Sequence, residues 1–236
     1  MFYRSRMVSP ASTFPRIGPS LNGKIWRWRG GNMDLGAGAG PAGLDQDIVT
    51  QLLLSRGVPP DDSERHRTPS LRGFLPDPSL FQDMDRAAER LADAVMSAES
   101  VTIYGDYDVD GATSAALLIR LLRALGLEPR HYIPDRLLEG YGPSGEALVR
   151  LAREGSTLIV TVDCGAMAHE ALGMARAQGV DVVVVDHHKC AAELPPAYAL
   201  VNPNRLDESA AAAGHGHLAA VGVAFLLAVA TLRALR

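Results

Sequence analysis

The stretch VTIYGDYDVDGATS, Val101 to Ser114, decides the fold. It runs from a short β-branched apolar segment, Val101-Thr102-Ile103, into three alternating carboxylates, Asp106, Asp108 and Asp110. Gly111 and Ala112 then open a helix-like segment. Carboxylates this close repel one another, and each resists ionisation unless positive charge lies between them. A divalent cation is the neutraliser that hard oxygen ligands suit, with Mg, Mn or Ca as the candidates. An acidic turn that water simply solvates is the alternative, and the residues downstream decide between the two.

Downstream the chain alternates. Val101 to Tyr104 reads as a strand, Ala112 to Leu125 as a helix, and His131 to Ile133 as a short strand. Ser144 to Arg153 reads as a helix, Thr157 to Val162 as a strand, Ala168 to Gln178 as a helix, and Val182 to Val185 as a strand buried on both faces. Apolar strands separated by helices of this length predict βαβ units. The expected class is α/β, a doubly wound, mostly parallel, Rossmann-like sheet. A short apolar piece ends at Val201, and His215 to Arg236 is expected to form a single helix.

Upstream the pattern is different. Residues 1–43 are rich in Gly, Pro, Ser and Arg and read as a flexible amino-terminal segment, with the IWRWR element at Ile25 to Arg29 as its only compact apolar piece. Trp26 and Trp28 suit either base stacking or docking on the body. Residues 44–98 read as a helical lead-in: a helix ending at Gly57, a polar and mobile stretch over 61–72, and an amphipathic helix from Met84 to Ala98 with Ala87, Leu91 and Val95 inward. Residues 99–236 form the expected catalytic domain.

Composition narrows the function. Of 236 residues, 47% are hydrophobic and 21% charged, which fits a folded α/β protein. No apolar run reaches membrane-spanning length and no secretory signal is evident, so the expectation is cytoplasmic with no membrane partner. The two cysteines, Cys164 and Cys190, form no CxxC pair, which argues against a disulfide framework. A net charge of -4 excludes binding nucleic acid by bulk electrostatics, so such a role needs a local groove or another domain.

Ligands of open parallel sheets bind beyond the carboxyl ends of the strands. Here those ends deliver Asp106, Asp108 and Asp110, then Asp163-Cys164-Gly165, then Asp186-His187-His188. Together they predict a metal site with room for two ions, built from carboxylates and at least one histidine, suited to Mn or Mg. Such a pair can activate water and stabilise an oxygen leaving phosphorus. His187 and His188 leave the strand in different directions, so one can ligate while the other binds substrate or acts as an acid. The loop Asp135 to Ser144 is a candidate phosphate-positioning element, with Arg136, Tyr141 and Ser144 as candidate substrate contacts and free amides at the next helix start. A plain loop with a helix cap is the alternative. Cys164 reads as a packing residue. An EF-hand fails because Leu117 stands where its bidentate Glu belongs, and a haloacid-dehalogenase-type DxD fails because Asp110 occupies its Thr or Val position.

GDYDVDG (Gly105 to Gly111), VDCG (Val162 to Gly165) and VDHH (Val185 to His188), in this order and at these intervals, resemble the DHH phosphoesterase superfamily. Within it the match is to the RecJ family of exonucleases. FLPDPSLFQDMDRAAERLADAV, IPDRLLEGYGPS, LAAVGVAFLL and LNGKIWRWRG resemble that family's lead-in helix, following loop, post-histidine stretch and amino-terminal segment. The resemblance implies hydrolysis of single-stranded DNA from its 5′ end with two Mn2+ or Mg2+ ions, in DNA repair and recombination. It implies Asp108, Asp110, Asp163 and His187 as metal ligands, with Asp163 bridging. His188 would be a ligand or acid, and Asp106 would support the site. The histidine that some members carry four places before Asp108 is Tyr104 here. Family members continue with a further aspartate motif, a clamping domain and an oligonucleotide-binding barrel, so the chain reads as an incomplete catalytic domain. A DHH phosphoesterase acting on short oligonucleotides or small phosphoesters, and a non-catalytic metal-binding module, are the other readings.

Overall fold

The computed structural model describes residues 21–23 and 48–236. The chain divides into two compact units, Met1–Leu75 and Pro76–Arg236. In the first, the described residues form a turn at 21–23, helix α1 (Ile48–Ser55), a 3-10 turn (Pro60–Asp62) and the short helices α2 (Ser63–Arg67) and α3 (Leu71–Phe74). The stretch 61–72, expected to be irregular, is thus largely helical. Pro60 sits at the first position of its turn, where its fixed φ suits a helical start, and Ser70 Oγ accepts from Gly73 N to begin α3. Trp26 and Trp28, with the rest of residues 24–47, lie outside the described residues.

The second unit begins with a 3-10 turn (Pro78–Leu80) and α4 (Met84–Met96), followed by β1 (Val101–Gly105), α5 (Val109–Ala124), β2 (Arg130–Tyr132), α6 (Arg136–Glu139) and α7 (Gly145–Arg153). Then come β3 (Leu158–Val162), α8 (His169–Ala177), β4 (Asp181–Val185), β5 (Ala199–Val201), α9 (Ala210–Ala213) and α10 (Ala220–Ala234). The strands make one sheet in the order β2-β1-β3-β4-β5, and every pairing is parallel. The winding direction reverses between β1 and β3, which makes that crevice the switch point where open α/β sheets bind ligands.

Side chains alternate across the sheet. Tyr104, Ile159, Val182, Val184 and Leu200 pack with residues of α7 and α8. Ile103, Val160 and Val183 point the other way and are buried under the layer formed by α4, α5 and α10. The sheet is therefore covered on both faces, as its continuous apolar strands require. Two helix starts in the second unit differ from the sequence expectation by three residues or more. α5 starts at Val109, because Asp108 Oδ1 accepts from Gly111 N at 3.0 Å and caps it. The expected helix over 215–236 starts only at Ala220, after a turn containing Gly214 and Gly216, residues that lower helix propensity.

A buried guanidinium fastens the far edge. Arg205 donates to Asp83 Oδ2 (2.9 Å), Leu200 O (2.6 Å) and both carboxylate oxygens of Asp207 (2.9 and 2.6 Å). Asp83 also accepts from Leu200 N, so β5 and the start of α4 are held by one fork. Arg205→Ala is expected to cost about 2–4 kcal/mol in urea unfolding, because it strands a buried carbonyl and removes both ion pairs. Arg205→Lys is expected to recover little of this, since an ammonium cannot reproduce the planar fork.

Candidate metal centre

Strand register brings the site together. Gly105 pairs with Val162, Val162 with Val185, and Val185 with Val201. The four residues that follow these, Asp106, Asp163, Asp186 and Asn202, therefore leave the sheet in one row. The ladder carries on into that row: Asp106 N donates to Val162 O, Asp163 N to Val185 O and Asp186 N to Val201 O.

Close backbone approach shapes the first turn. A Cβ on Gly111 would lie 2.5 Å from Asp106 O and 2.7 Å from Asp106 N, so only glycine lets α5 begin against the end of β1. Asp163 has φ of 62°, a left-handed conformation that Asp tolerates better than most residues. The buried Cys164 beside it donates its thiol to Val162 O and is pushed well up in pKa by burial, which fits a packing role.

Two groups of ligand atoms result, each with its atoms within 4.8 Å of one another: Asp106, Asp108 and Asp163, and then Asp163, His187 and His188. Asp163 is common to both. Asp110 belongs to neither triad, but its Oδ2 lies 3.6 Å from His187 Nε2. Its carboxylate also accepts from Ala220 N (2.8 Å) and Val221 N (2.9 Å), so it caps α10, whose own cap position is Ala219.

The charges in this cluster are unbalanced. Asp163 is 1% exposed, and its carboxyl is pushed up to about 7, first by burial and then by the charges of Asp110 and Asp108. Burial also raises Asp106, with the Asp108 charge adding to it and Arg136 and His188 opposing. Asp108 moves the other way, held down chiefly by the Gly111 amide. Asp106 Oδ1 and Asp163 Oδ1 are buried with no hydrogen-bond partner among the described residues.

The histidines are differently placed. His187 Nδ1 lies 3.0 Å from the carbonyl of Leu218, which only an Nδ1–H can satisfy. Nε2 then faces Asp163 Oδ1 at 3.2 Å and Asp110 Oδ2 at 3.6 Å, where either a second proton or a metal cation bound to the unprotonated nitrogen satisfies the carboxylates. With the ring neutral and Nδ1–H held by Leu218, a divalent cation among Nε2 and these carboxylates is the arrangement that ligating histidines adopt. The oxygen-rich donor set with imidazole fits Mn2+ or Mg2+. His188 Nδ1 lies 2.7 Å from Asp186 Oδ1, and this hydrogen bond is the main cause of its raised pKa. Burial would raise Asp186, but bonds from the His188 ring, from Ala166 N and from His188 N bring it below its ordinary value.

The candidate substrate contacts divide. Tyr141 is over the site, with its hydroxyl 3.4 Å from Asp163 O and 3.4 Å from His188 Nε2. Arg136 stacks on the exposed Tyr107 ring at 4.5 Å and is near enough to Asp106 to ease its charge. The hydroxyl of Ser144 accepts from Ala147 N and caps α7. His215 and His217 lie in the turn before α10, outside both triads.

A model of the DHH family, N-terminal domain, matches residues 100–235. The chain belongs to the DHH family. This DHH chain is 38% identical over 185 residues to the single-stranded-DNA-specific exonuclease RecJ of Bacillus subtilis, covering 78% of this chain and 23% of that protein. It is 42% identical over 191 residues to RecJ of Dickeya dadantii, covering 80% and 32% respectively. A crystal structure of RecJ in complex with Mn2+ from Thermus thermophilus matches with a TM-score of 0.60 at 31% identity, over 77% of this chain and 24% of that one. The chain thus spans between about a quarter and a third of the length of these curated relatives.

Proposed function

We propose that this chain carries the metal-binding part of a RecJ-type exonuclease, which hydrolyses single-stranded DNA from the 5′ end in cytoplasmic DNA repair and recombination. The observation that carries the reading is the shared carboxylate: Asp163 completes both triads, and its buried Oδ1 has no hydrogen-bond partner among the described residues. Asp106, Asp108 and Asp163 would hold one Mn2+ or Mg2+ ion, and Asp163 with His187, supported by Asp110, would hold the other. When bound, such a pair supplies Lewis acidity to a phosphodiester and lowers the pKa of water.

The remaining steps belong to the protein. Arg136 grips the terminal phosphate through its planar fork, and Tyr141 closes the site from above. The hydrogen bond to Asp186 raises the pKa of His188, which favours its use as a proton donor to the leaving oxygen over its use as a ligand. A net charge of -4 gives the chain no bulk attraction for DNA, so the strand contacts are assigned to this site.

The test is release of mononucleotides from a 5′-labelled single-stranded oligonucleotide by the purified chain, with Mn2+, with Mg2+ and with chelator. Metal-dependent release, lost in Asp108→Ala and absent on duplex, is the expected result. Equal release by Asp108→Ala would exclude this site. Uptake of Mn2+ without turnover would make the chain a metal-binding module.

Metal uptake should follow pH with a definite sign. Asp163 must lose its proton to accept the ion, and its carboxyl titrates at about 7. Mn2+ affinity measured by calorimetry is expected to rise by up to about tenfold per pH unit below that value, because one proton competes with each ion, and to level off above it. A flat profile between about pH 5.5 and 7.5 would count against Asp163 as a ligand.

A further inference from the structure

Behind the two histidines, the structure brings in a residue from outside the acidic motifs. Asn204 follows the end of β5 and donates through one amide nitrogen to two carbonyls, His187 O at 2.5 Å and Gly216 O at 3.1 Å. Its own backbone N–H donates to Oδ1 of the fully buried Asn202, whose Nδ2 binds His188 O at 2.8 Å. The backbones of both histidines therefore hang on side-chain amides of the sequence Asn202-Pro203-Asn204.

The second carbonyl on Asn204 is the informative one. Gly216 lies two residues before Leu218, the residue whose carbonyl takes the His187 Nδ1 proton. Asn204 thus joins the backbone of His187 to the turn that sets its ring. With Nδ1 committed to Leu218, a neutral ring presents Nε2 to Asp163 and Asp110. If the turn moved, the ring could take the other tautomer and point a proton at the carboxylates. The packing is tight around this amide: a Cβ on Gly216 would overlap Asn204 Oδ1.

We infer that Asn204 is a positioning residue for the metal centre, fixing His187 as the Nδ1–H tautomer by tying it to the turn at 214–218. The inference rests on the proposed metal site for its consequence, but the tautomer it specifies is a property of the metal-free chain. Groups that orient a ligating histidine commonly contribute about 10- to 100-fold in metal affinity, and that range is expected here.

The experiment has two readouts. Long-range 15N NMR of the imidazoles in the metal-free chain, at a pH where the ring is neutral, reports the His187 tautomer, and calorimetry with Mn2+ alone reports affinity. The unaltered chain is expected to show His187 protonated on Nδ1. Asn204→Ala, and Asn204→Asp, which keeps the shape while turning an acceptor toward both carbonyls, are expected to mix the tautomers and weaken Mn2+ binding by roughly 10- to 100-fold. Gly216→Ala should reproduce both effects while removing no polar group. It also keeps the test open if an Asn204 variant fails to fold. A His187 tautomer and Mn2+ affinity within about twofold of the unaltered chain in folded Asn204 and Gly216 variants would overturn the inference. Should the unaltered chain take up no Mn2+, the metal reading fails, and the tautomer alone decides whether Asn204 sets the ring.

Discussion

Replacing Asp163 with asparagine is expected to raise the melting temperature of the metal-free chain at pH 8 and to abolish the further rise produced by Mn2+. The two effects have one cause. Asp163 is buried, its Oδ1 lacks a hydrogen-bond partner among the described residues, and it faces the charges of Asp108 and Asp110. Its carboxyl lies at about 7 against an ordinary 3.8. Between these values the folded chain holds a proton that the unfolded chain has released. Metal-free stability therefore falls as pH rises through that window, by at most about 1.4 kcal/mol per unit, and the loss levels off above about 7.

Asparagine removes the charge and with it the slope. It also accepts the left-handed backbone at this position, where φ is 62°, so the fold should survive. The same change leaves both triads without their common ligand. In the unaltered chain, Mn2+ at about 100 times its dissociation constant should add roughly 2.7 kcal/mol of stability, whereas the variant should gain nothing. Thermal melts at pH 5 and pH 8, with Mn2+ and with chelator, check all of these expectations. A variant that melts lower than the unaltered chain without metal would show that Asp163 is a structural carboxylate instead.

The second large effect is steric. Gly111→Ala is expected to destabilise the chain by about 3 kcal/mol or more and to remove metal uptake with it. The new methyl would meet Asp106 O at 2.5 Å, Asp106 N at 2.7 Å and Asp106 C at 2.8 Å. These are backbone atoms at the end of a central strand, so no side chain can swing aside, and overpacking of this kind costs a few kcal/mol. Relief requires α5 to move off β1, which carries Asp108 and Asp110 away from Asp163. Gly105→Ala makes an instructive comparison. Its nearest contacts are 3.3 Å, to Ala115 Cβ and Gly111 O, and a shift of a few tenths of an ångström relieves them. Its cost in urea unfolding should be clearly smaller. Equal costs for the two substitutions would mean that the β1–α5 junction is looser than these distances state.

Much of this site was legible in the sequence because strand ends announce themselves. A β-branched run that stops at a carboxylate, three times over, marks the ligand edge of a parallel sheet whatever the order of its strands. Asp106, Asp108, Asp163, His187 and His188 all come together at that edge, and Tyr141 and Arg136 lie beside it. Asp186 was visible as part of the same motif, yet its work of anchoring His188 depends on a 2.7 Å contact that spacing alone does not specify. Residues 215–219 read as helix because Ala and Leu dominate the surrounding window, whereas Gly214, Gly216 and the bond from Asn204 hold them as a turn.

What the sequence by itself determined is the class of fold and the chemistry of its edge: apolar strands buried on both faces, helices between them, and carboxylate and imidazole where each strand ends. Those features follow from local composition, because burial and charge repulsion act on residue types. What only the tertiary structure decided is which of these groups share an ion and what holds them. Level register across four strands sets Asp106, Asp163, Asp186 and Asn202 in one row. The amides of α10 meet a carboxylate 110 residues earlier in the chain, and the turn before α10 meets His187. Hydrogen bonds of a few ångströms between distant segments depend on how the layers close, and no local pattern encodes that distance.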